Sequence, residues 1–185
     1  MELGLKGKAA LVTGSSRGIG RGIALAFADE GCDLLLTGRD EKALRDAAQS
    51  IHAKGRKAVV HALDLRERSA PAALADTARR EFGGLDILVN NAGTTKRGDF
   101  LVLTEEDWQE GYALKFFAHV RLARAVWPLL KERRGSLIAI GGTSGRKPDK
   151  SFTIGSSVNA AVAAFTKCLA DLGKRPLRHP GAEPL

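Results

Sequence analysis

Cysteine, methionine and tyrosine are scarce in this sequence. Its 185 residues include two cysteines, one methionine, two tryptophans and a single tyrosine, Tyr112. Two cysteines, Cys32 and Cys168, exclude a disulfide-rich scaffold, and we expect both to be reduced, buried apolar side chains. We interpret Tyr112 as a packing aromatic, so chemistry that depends on a phenol has only this one residue to draw on.

Long apolar runs are also missing. No run approaches the roughly 18–20 residues of a membrane-spanning helix, and the first eight residues lack the apolar core of a signal peptide. We therefore expect a cytoplasmic protein without a membrane segment. The four histidines are scattered without metal-ligand spacing, so no metal site is predicted. With 44% apolar and 27% charged residues, the composition is typical of one globular domain and excludes disorder and collagen.

The chain is basic, with 29 lysines and arginines against 21 aspartates and glutamates, a formal net charge of +8. Such a charge is compatible with nucleic-acid binding or with attraction to a phosphorylated ligand. The basic residues are distributed along the chain among acidic ones, and aromatic residues make up only 5%. We therefore favour a phosphorylated small molecule over nucleic acid, and keep a basic interaction protein as an alternative.

Strand-like and helix-like apolar patterns alternate along the chain. Buried strands are predicted at 8–13, 33–37, 58–63, 86–90 and 136–140, and helices at 19–30, 40–53, 67–82, 104–131 and 153–172. This alternation predicts a doubly wound, Rossmann-like α/β domain over residues 1–172, with about five parallel strands flanked by helices. Residues 173–185 contain three of the six prolines and predict a disordered tail.

A glycine-rich turn at residues 13–20, TGSSRGIG, joins the first strand to the first helix. Gly14 permits a tight exit from the strand, Gly18 lets the backbone approach a pyrophosphate, and Gly20 allows close packing of helix on strand. The N–H groups that begin a helix bind phosphate. The turn therefore predicts a dinucleotide site formed by Gly14, Ser16, Arg17, Gly18, Ile19 and Gly20.

The residue after the second strand bears on the choice of dinucleotide. An acid at this place would bond a ribose 2′-hydroxyl and repel a 2′-phosphate, but the sequence has Arg39. A guanidinium group pairs with phosphate through two N–H groups, and Arg17 can assist it. The sequence therefore favours NADP(H) over NAD(H).

The glycine turn, Asp64-Leu65 after the third strand, and the run Asn-Asn-Ala-Gly at 90–93 after the fourth together resemble the short-chain dehydrogenase/reductase family. The resemblance covers roughly residues 5–172. It implies that Asp64, with Leu65 beside it, contacts adenine, and that Asn90, Ala92 and Gly93 steady the central sheet and the adenosine side. It also implies transfer of a hydride between a nicotinamide and a small carbonyl or alcohol substrate.

The family's usual catalytic residues are replaced in this chain. The resemblance places its Ser, Tyr and Lys positions at Gly142, Gly155 and Asn159, and its relay Asn at Lys115. A buried lysine has a lowered pKa and can act as an acid, and a nearby serine supplies a hydroxyl. Lys115 and Ser144 are therefore the candidate catalytic residues.

The resemblance also bears on length and assembly. Family members usually continue with further strands past the last predicted helix, so we expect this chain to be truncated relative to them. They commonly associate through two helices, which here are 104–131 and 153–172, so a homo-oligomer is expected. Three interpretations stay open: an oxidoreductase, a nucleotide-binding pseudoenzyme or fragment, and a basic interaction protein. Only the first predicts substrate-dependent oxidation of NADPH.

Overall fold

A central parallel sheet organises the computed structural model, which describes residues 3–173. Within these residues, five strands lie in the order β3-β2-β1-β4-β5. The strands are β1 (Ala9–Thr13), β2 (Asp33–Gly38), β3 (Ala58–Ala62), β4 (Ile87–Asn90) and β5 (Ser136–Ala139). Each boundary lies within one residue of the predicted one, and the predicted doubly wound α/β fold is confirmed.

Helices cover both faces of the sheet. They are α1 (Gly18–Asp29), α2 (Glu41–His52), α3 (Ala70–Phe82), α4 (Glu105–Tyr112), α5 (Ala118–Arg133) and α6 (Thr153–Gly173). The third helix begins three residues later than predicted, because residues 64–67 first form a turn. Between residues 3 and 173, no helix is long and apolar enough to cross a membrane. The predicted disordered tail lies outside the described residues, apart from Gly173.

The helix predicted at 104–131 is interrupted. Its start is as expected, since Thr104 and Asp107 form a reciprocal capping box, with the Asp107 N–H 3.3 Å from the Thr104 hydroxyl. One π-helical turn, Ala113–Phe117, then separates α4 from α5. Such a turn bonds each N–H one residue further back than an α-helix does, and it is frequent at functional sites. The apolar spacing of the sequence does not reveal it.

Strand side chains alternate between two cores. Leu34 and Leu36 of β2 pack with α1 and α2 on one face of the sheet. Leu35 of the same strand packs on the other face with Leu11 and Leu88, under α3 and α5. Burial on both faces explains why these strands read as continuous apolar runs.

The single tyrosine and the two cysteines differ in their packing and exposure. Tyr112 lies between Trp108 and Phe116, with ring centroids 6.4 and 6.2 Å away, and packs against the start of α6. Its position agrees with a packing role. Cys32 is buried as expected, but Cys168 is exposed on α6.

The sheet has its topological switch between β1 and β4, where successive crossovers leave β1 in opposite directions. The carboxyl ends of all five strands meet at one edge of the sheet. Loops 91–104 and 140–152 leave from the same edge. Ligands of open α/β sheets bind at this place, so this edge of the sheet is the candidate site.

Candidate active site

The glycine turn exposes the start of α1. Gly14 and Gly18 have φ angles of +65° and +56°, which glycine adopts without steric cost. A Cβ on Gly20 would lie only 2.3 Å from the Gly14 carbonyl oxygen. No side chain caps the helix start at Arg17, and its first turn contains no acidic residue. These free N–H groups, at the positive end of the helix dipole, are suited to a phosphate.

Two residues to which the sequence reasoning gave no role hold this turn in place. The Thr13 hydroxyl accepts hydrogen bonds from the N–H groups of Asn91 (2.8 Å) and Ala92 (2.9 Å). The side-chain amide of Asn91 donates to the Thr13 carbonyl (2.8 Å) and the Gly14 carbonyl (3.4 Å). Both residues lie inside motifs described above, the glycine turn and the Asn-Asn-Ala-Gly run, but the sequence does not show which groups they bond.

Two arginines line a cleft beside the end of β2. Arg39 follows the strand and is exposed, and it lines a cleft of about 200 Å³ together with Arg66 and Lys96. Ser16, in the glycine turn, lies near Gly38. Asp107 and Glu110 line the same cleft, where Lys96 pairs with Asp107, and Arg66 pairs with Asp64. Among the described residues that line the cleft, Arg39 is therefore the basic side chain without an acidic partner.

The carboxylate of Asp64 is occupied by a neighbour. The Arg66 backbone N–H and guanidinium group all donate to it, at distances between 2.6 and 3.1 Å. These hydrogen bonds hold the pKa of Asp64 below its ordinary value. The carboxylate is ionised at neutral pH and fixes Arg66 along the wall of the cleft.

Leu65 and Asn90 contribute from inside the fold. Leu65 is buried in the core between α3 and α5. Asn90 is also buried, and its amide donates to the His119 carbonyl (3.3 Å). Their side chains therefore support the floor of the site, whereas Ala92 and Gly93 form the loop above it.

Lys115 stands in the middle of the π-helical turn, and its stem lies on Gly93. A Cβ on Gly93 would come within 2.9 Å of the Lys115 Cγ and Cδ atoms. Burial of the side chain lowers the pKa of Lys115. Among the residues that the structure describes, no carboxylate pairs with its ammonium group. A half-buried, unpaired ammonium group loses a proton more readily than an exposed one.

His119 lies one helical turn beyond Lys115. Its Nε2 atom is 2.9 Å from the Ala92 carbonyl, so Nε2 carries the hydrogen of this bond. Burial, with a contribution from the nearby Lys115 charge, lowers the pKa of His119 to about 4. The ring is neutral at pH 7 and anchors the loop after β4.

Asn159 connects the loop after β5 to α6. Its side-chain oxygen accepts from the Gly142 N–H (2.8 Å), and its amide nitrogen donates to the Ser144 hydroxyl (3.0 Å). The 3₁₀ turn Thr143–Gly145 carries this serine. A Cβ on Gly142 would lie 2.6 Å from the Asn159 amide nitrogen. The glycine therefore leaves room for the asparagine.

Gly155, where the resemblance places a tyrosine, lies against an aromatic ring. A Cβ on Gly155 would lie 2.1 Å from Cζ of Phe152. The Arg97 guanidinium group covers the same ring, 3.9 Å from its centroid. Loop 94–103 is also tied to this region by a 3.0 Å hydrogen bond from the Gly98 N–H to the Ser151 carbonyl. The two long loops, after β4 and after β5, are therefore in direct contact with each other.

The predicted cofactor residues follow β1, β2, β3 and β4, and they lie at the same edge of the sheet. Lys115 reaches this edge through its contact with Gly93, and Ser144 reaches it from the loop after β5. Over residues 3–173, no three side chains of His, Cys, Asp or Glu come together as metal ligands. The arrangement offers an anion-binding helix start, a candidate proton donor and a candidate hydroxyl donor.

Comparison with known proteins shows the family to which this chain belongs. The family model of short chain dehydrogenases matches residues 8–176. An uncharacterized oxidoreductase of Mycobacterium tuberculosis is 38% identical over 168 residues, which are 90% of this chain and 64% of that protein. The chain thus spans less than two thirds of the length of this relative.

Solved structures share the fold. L-Sorbose reductase from Gluconobacter frateurii, complexed with NADPH and L-sorbose, superposes with a TM-score of 0.90 at 36% identity, over 93% of this chain and 66% of that one. A short chain dehydrogenase from Burkholderia cenocepacia, in complex with NADP, gives a TM-score of 0.85 at 34% identity, over 91% of this chain and 70% of that one. With its sheet order, glycine turn and matched family model, the chain belongs to the short chain dehydrogenases, a family of NAD(P)-dependent oxidoreductases.

Proposed function

We propose that this protein is an NADP(H)-dependent oxidoreductase that interconverts a small carbonyl compound and its alcohol. The observation that carries the proposal is the uncapped start of α1, with Gly20 packed against the Gly14 carbonyl, together with the exposed Arg39 in the neighbouring cleft. A pyrophosphate fits the first feature and a further phosphate fits the second.

The residues present fit a dinucleotide. Gly14, Ser16, Arg17, Gly18, Ile19 and Gly20 would hold the pyrophosphate, and Asp64, Leu65, Asn90, Ala92 and Gly93 would form the adenosine side. When bound, the nicotinamide supplies a hydride to a carbonyl carbon. The chain's own residues then have to hold the carbonyl oxygen and deliver the proton that it gains.

Lys115 is the proposed proton donor. Its half-buried, unpaired ammonium group gives up a proton more readily than an exposed lysine, so the N–H bond breaks as the O–H bond of the alcohol forms. Ser144 is the proposed hydrogen-bond donor to the same oxygen. In the reverse direction, the neutral lysine takes the hydroxyl proton of the alcohol.

The experiment that tests this function has two measurements. NADPH and NADH are titrated while nicotinamide fluorescence is followed, and NADPH oxidation is then measured with a panel of small ketones, aldehydes and sugars. We expect binding of NADPH and substrate-dependent oxidation. Binding without oxidation by any member of the panel favours the alternative, a nucleotide-binding pseudoenzyme, and binding of neither nucleotide rejects both proposals.

Cofactor preference is expected to depend on Arg39. Arg39→Ala removes a guanidinium group that can form a charge-assisted bond with a 2′-phosphate, so the Kd for NADPH should rise about 10- to 100-fold. The Kd for NADH should change less than twofold. Arg45→Ala is the matched control, since Arg45 is an exposed arginine paired with Glu41 on α2. Equal loss of both nucleotides in Arg39→Ala would contradict the preference.

The proposal includes a homo-oligomer formed through residues 104–131 and 153–172. Exposed apolar side chains on both segments support it: Phe117 in the π-helical turn is 46% exposed and Leu172 on α6 is 67% exposed.

A further inference from the structure

We propose that Asn159 is a positioning residue that turns the Ser144 hydroxyl hydrogen outward, so that Ser144 donates to the substrate oxygen. This inference rests on the proposed function and explains how its serine, Ser144, is oriented. Asn159 stands where the family resemblance places a lysine, and it makes two side-chain hydrogen bonds that a lysine could not make together.

The orientation of the Asn159 amide follows from its partners. The Gly142 N–H is a donor only, so the atom 2.8 Å from it has to be the side-chain oxygen of Asn159. The amide nitrogen therefore faces Ser144, 3.0 Å away. With 4% of its surface exposed, Asn159 has little water to compete for these bonds.

The orientation of the amide fixes the role of the hydroxyl. A serine oxygen has one hydrogen and two lone pairs. Because Asn159 donates to Ser144, one lone pair is used and the hydrogen remains free for another acceptor. Among the described residues, no acceptor takes the Ser144 hydrogen. A hydroxyl with its hydrogen available is the form that stabilises negative charge developing on a carbonyl oxygen.

The surrounding glycines are adapted to this arrangement. A serine side chain at position 142 would clash with the Asn159 amide, as the 2.6 Å approach shows. A Cβ on Gly145 would lie 2.8 Å from the Ala160 backbone nitrogen, so the 3₁₀ turn packs directly on α6. The turn can thus hold Ser144 within hydrogen-bond distance of Asn159.

The test is Asn159→Asp, which keeps the size of the side chain and reverses one hydrogen bond. A carboxylate still accepts from the Gly142 N–H, but it also accepts from Ser144 and draws the hydroxyl hydrogen inward. We expect kcat for NADPH oxidation to fall about 100-fold, to the level of Ser144→Ala. The double variant should fall no further, and the Kd for NADPH should stay within twofold. Gln49→Glu, an exposed change on α2, controls for the added charge.

The pH profile separates orientation from simple damage. Protonation of the new carboxyl allows it to donate to Ser144 again, so kcat of Asn159→Asp should recover as the pH falls from 8 to 5. Ser144→Ala should show no such recovery. Arg146 and Lys167 are the charged residues that line, with Asn159, the groove between the loop after β5 and α6. Activity of Asn159→Asp equal to that of the unmodified protein would overturn the inference.

A second readout does not need turnover. The side-chain amide protons of Asn159 should exchange slowly with solvent in nuclear magnetic resonance spectra, and about tenfold faster in Ser144→Ala. If the unmodified protein oxidises no NADPH while this difference is observed, the proposed function fails and the orientation of Ser144 stands. Unchanged exchange in Ser144→Ala rejects the orientation itself.

Discussion

Replacing Gly20 by alanine is expected to remove tight binding of NADPH and to lower the free energy of unfolding by roughly 1–3 kcal/mol. The added methyl group would lie 2.3 Å from the Gly14 carbonyl oxygen and 2.5 Å from the Asn91 amide nitrogen. A backbone carbonyl cannot rotate away as the end of a long side chain can. The turn itself therefore has to move.

That movement reaches the phosphate site. The Gly14 carbonyl and the Asn91 amide belong to the hydrogen bonds that join the end of β1 to the loop after β4. Shifting them changes the direction of the first N–H groups of α1, which offer the binding site for phosphate. We therefore expect the Kd for NADPH to rise at least tenfold, beyond the effect on stability.

Gly22→Ala is the matched control for this substitution. Gly22 lies in the same helix, is exposed, and has no atom within 4 Å of an added Cβ. Alanine is favoured over glycine in a helix interior by about 0.5–1 kcal/mol, so this variant should be slightly stabilised. Urea unfolding and nucleotide titration measure both effects. If Gly20→Ala behaved as Gly22→Ala does, the close packing of α1 on the turn would be refuted.

The sequence predicts the strands and turns that form this site well, because the same physical requirements determine both the structure and the residue pattern. Strands buried on both faces are continuous apolar runs, and the turns between them carry glycine where φ is positive. Gly14 and Gly18 illustrate this point. A chain that meets these local requirements in this order has few alternative topologies.

The chemistry of the site is less visible in the sequence, because it depends on contacts between distant residues. Asn159 and Gly142 appear only as two replaced positions until their 2.8 Å hydrogen bond is seen. Gly155 appears only as the position where the resemblance places a tyrosine, but Phe152 occupies the space beside it. The π-helical turn that carries Lys115 leaves no mark in the apolar spacing. Tertiary contacts therefore supply the information that the sequence does not show at these positions.

Lys115→Met is expected to lower turnover while raising stability. Methionine keeps an apolar stem on Gly93 but removes the proposed proton donor, so kcat for NADPH oxidation should fall about 10²- to 10⁴-fold. At neutral pH the same change removes an ammonium group that the fold holds half-buried without a carboxylate partner. The midpoint of thermal unfolding should therefore rise. Few substitutions that damage a fold produce this combination.

The pH dependence of stability distinguishes removal of a half-buried charge from better packing as the cause of the higher stability of Lys115→Met. Burial lowers the pKa of Lys115 from the ordinary 10.5, so between the two values the unfolded chain binds more protons than the folded one. The stability of the unmodified protein should rise with pH through that window relative to Lys115→Met. The stability advantage of the variant is thus full at neutral pH and declines toward pH 10.5.

Lys131→Met, at an exposed position of α5, should change neither turnover nor this pH dependence. A stability difference that stayed constant with pH would show that Lys115 titrates like an exposed lysine, and full activity of Lys115→Met would remove it from the reaction.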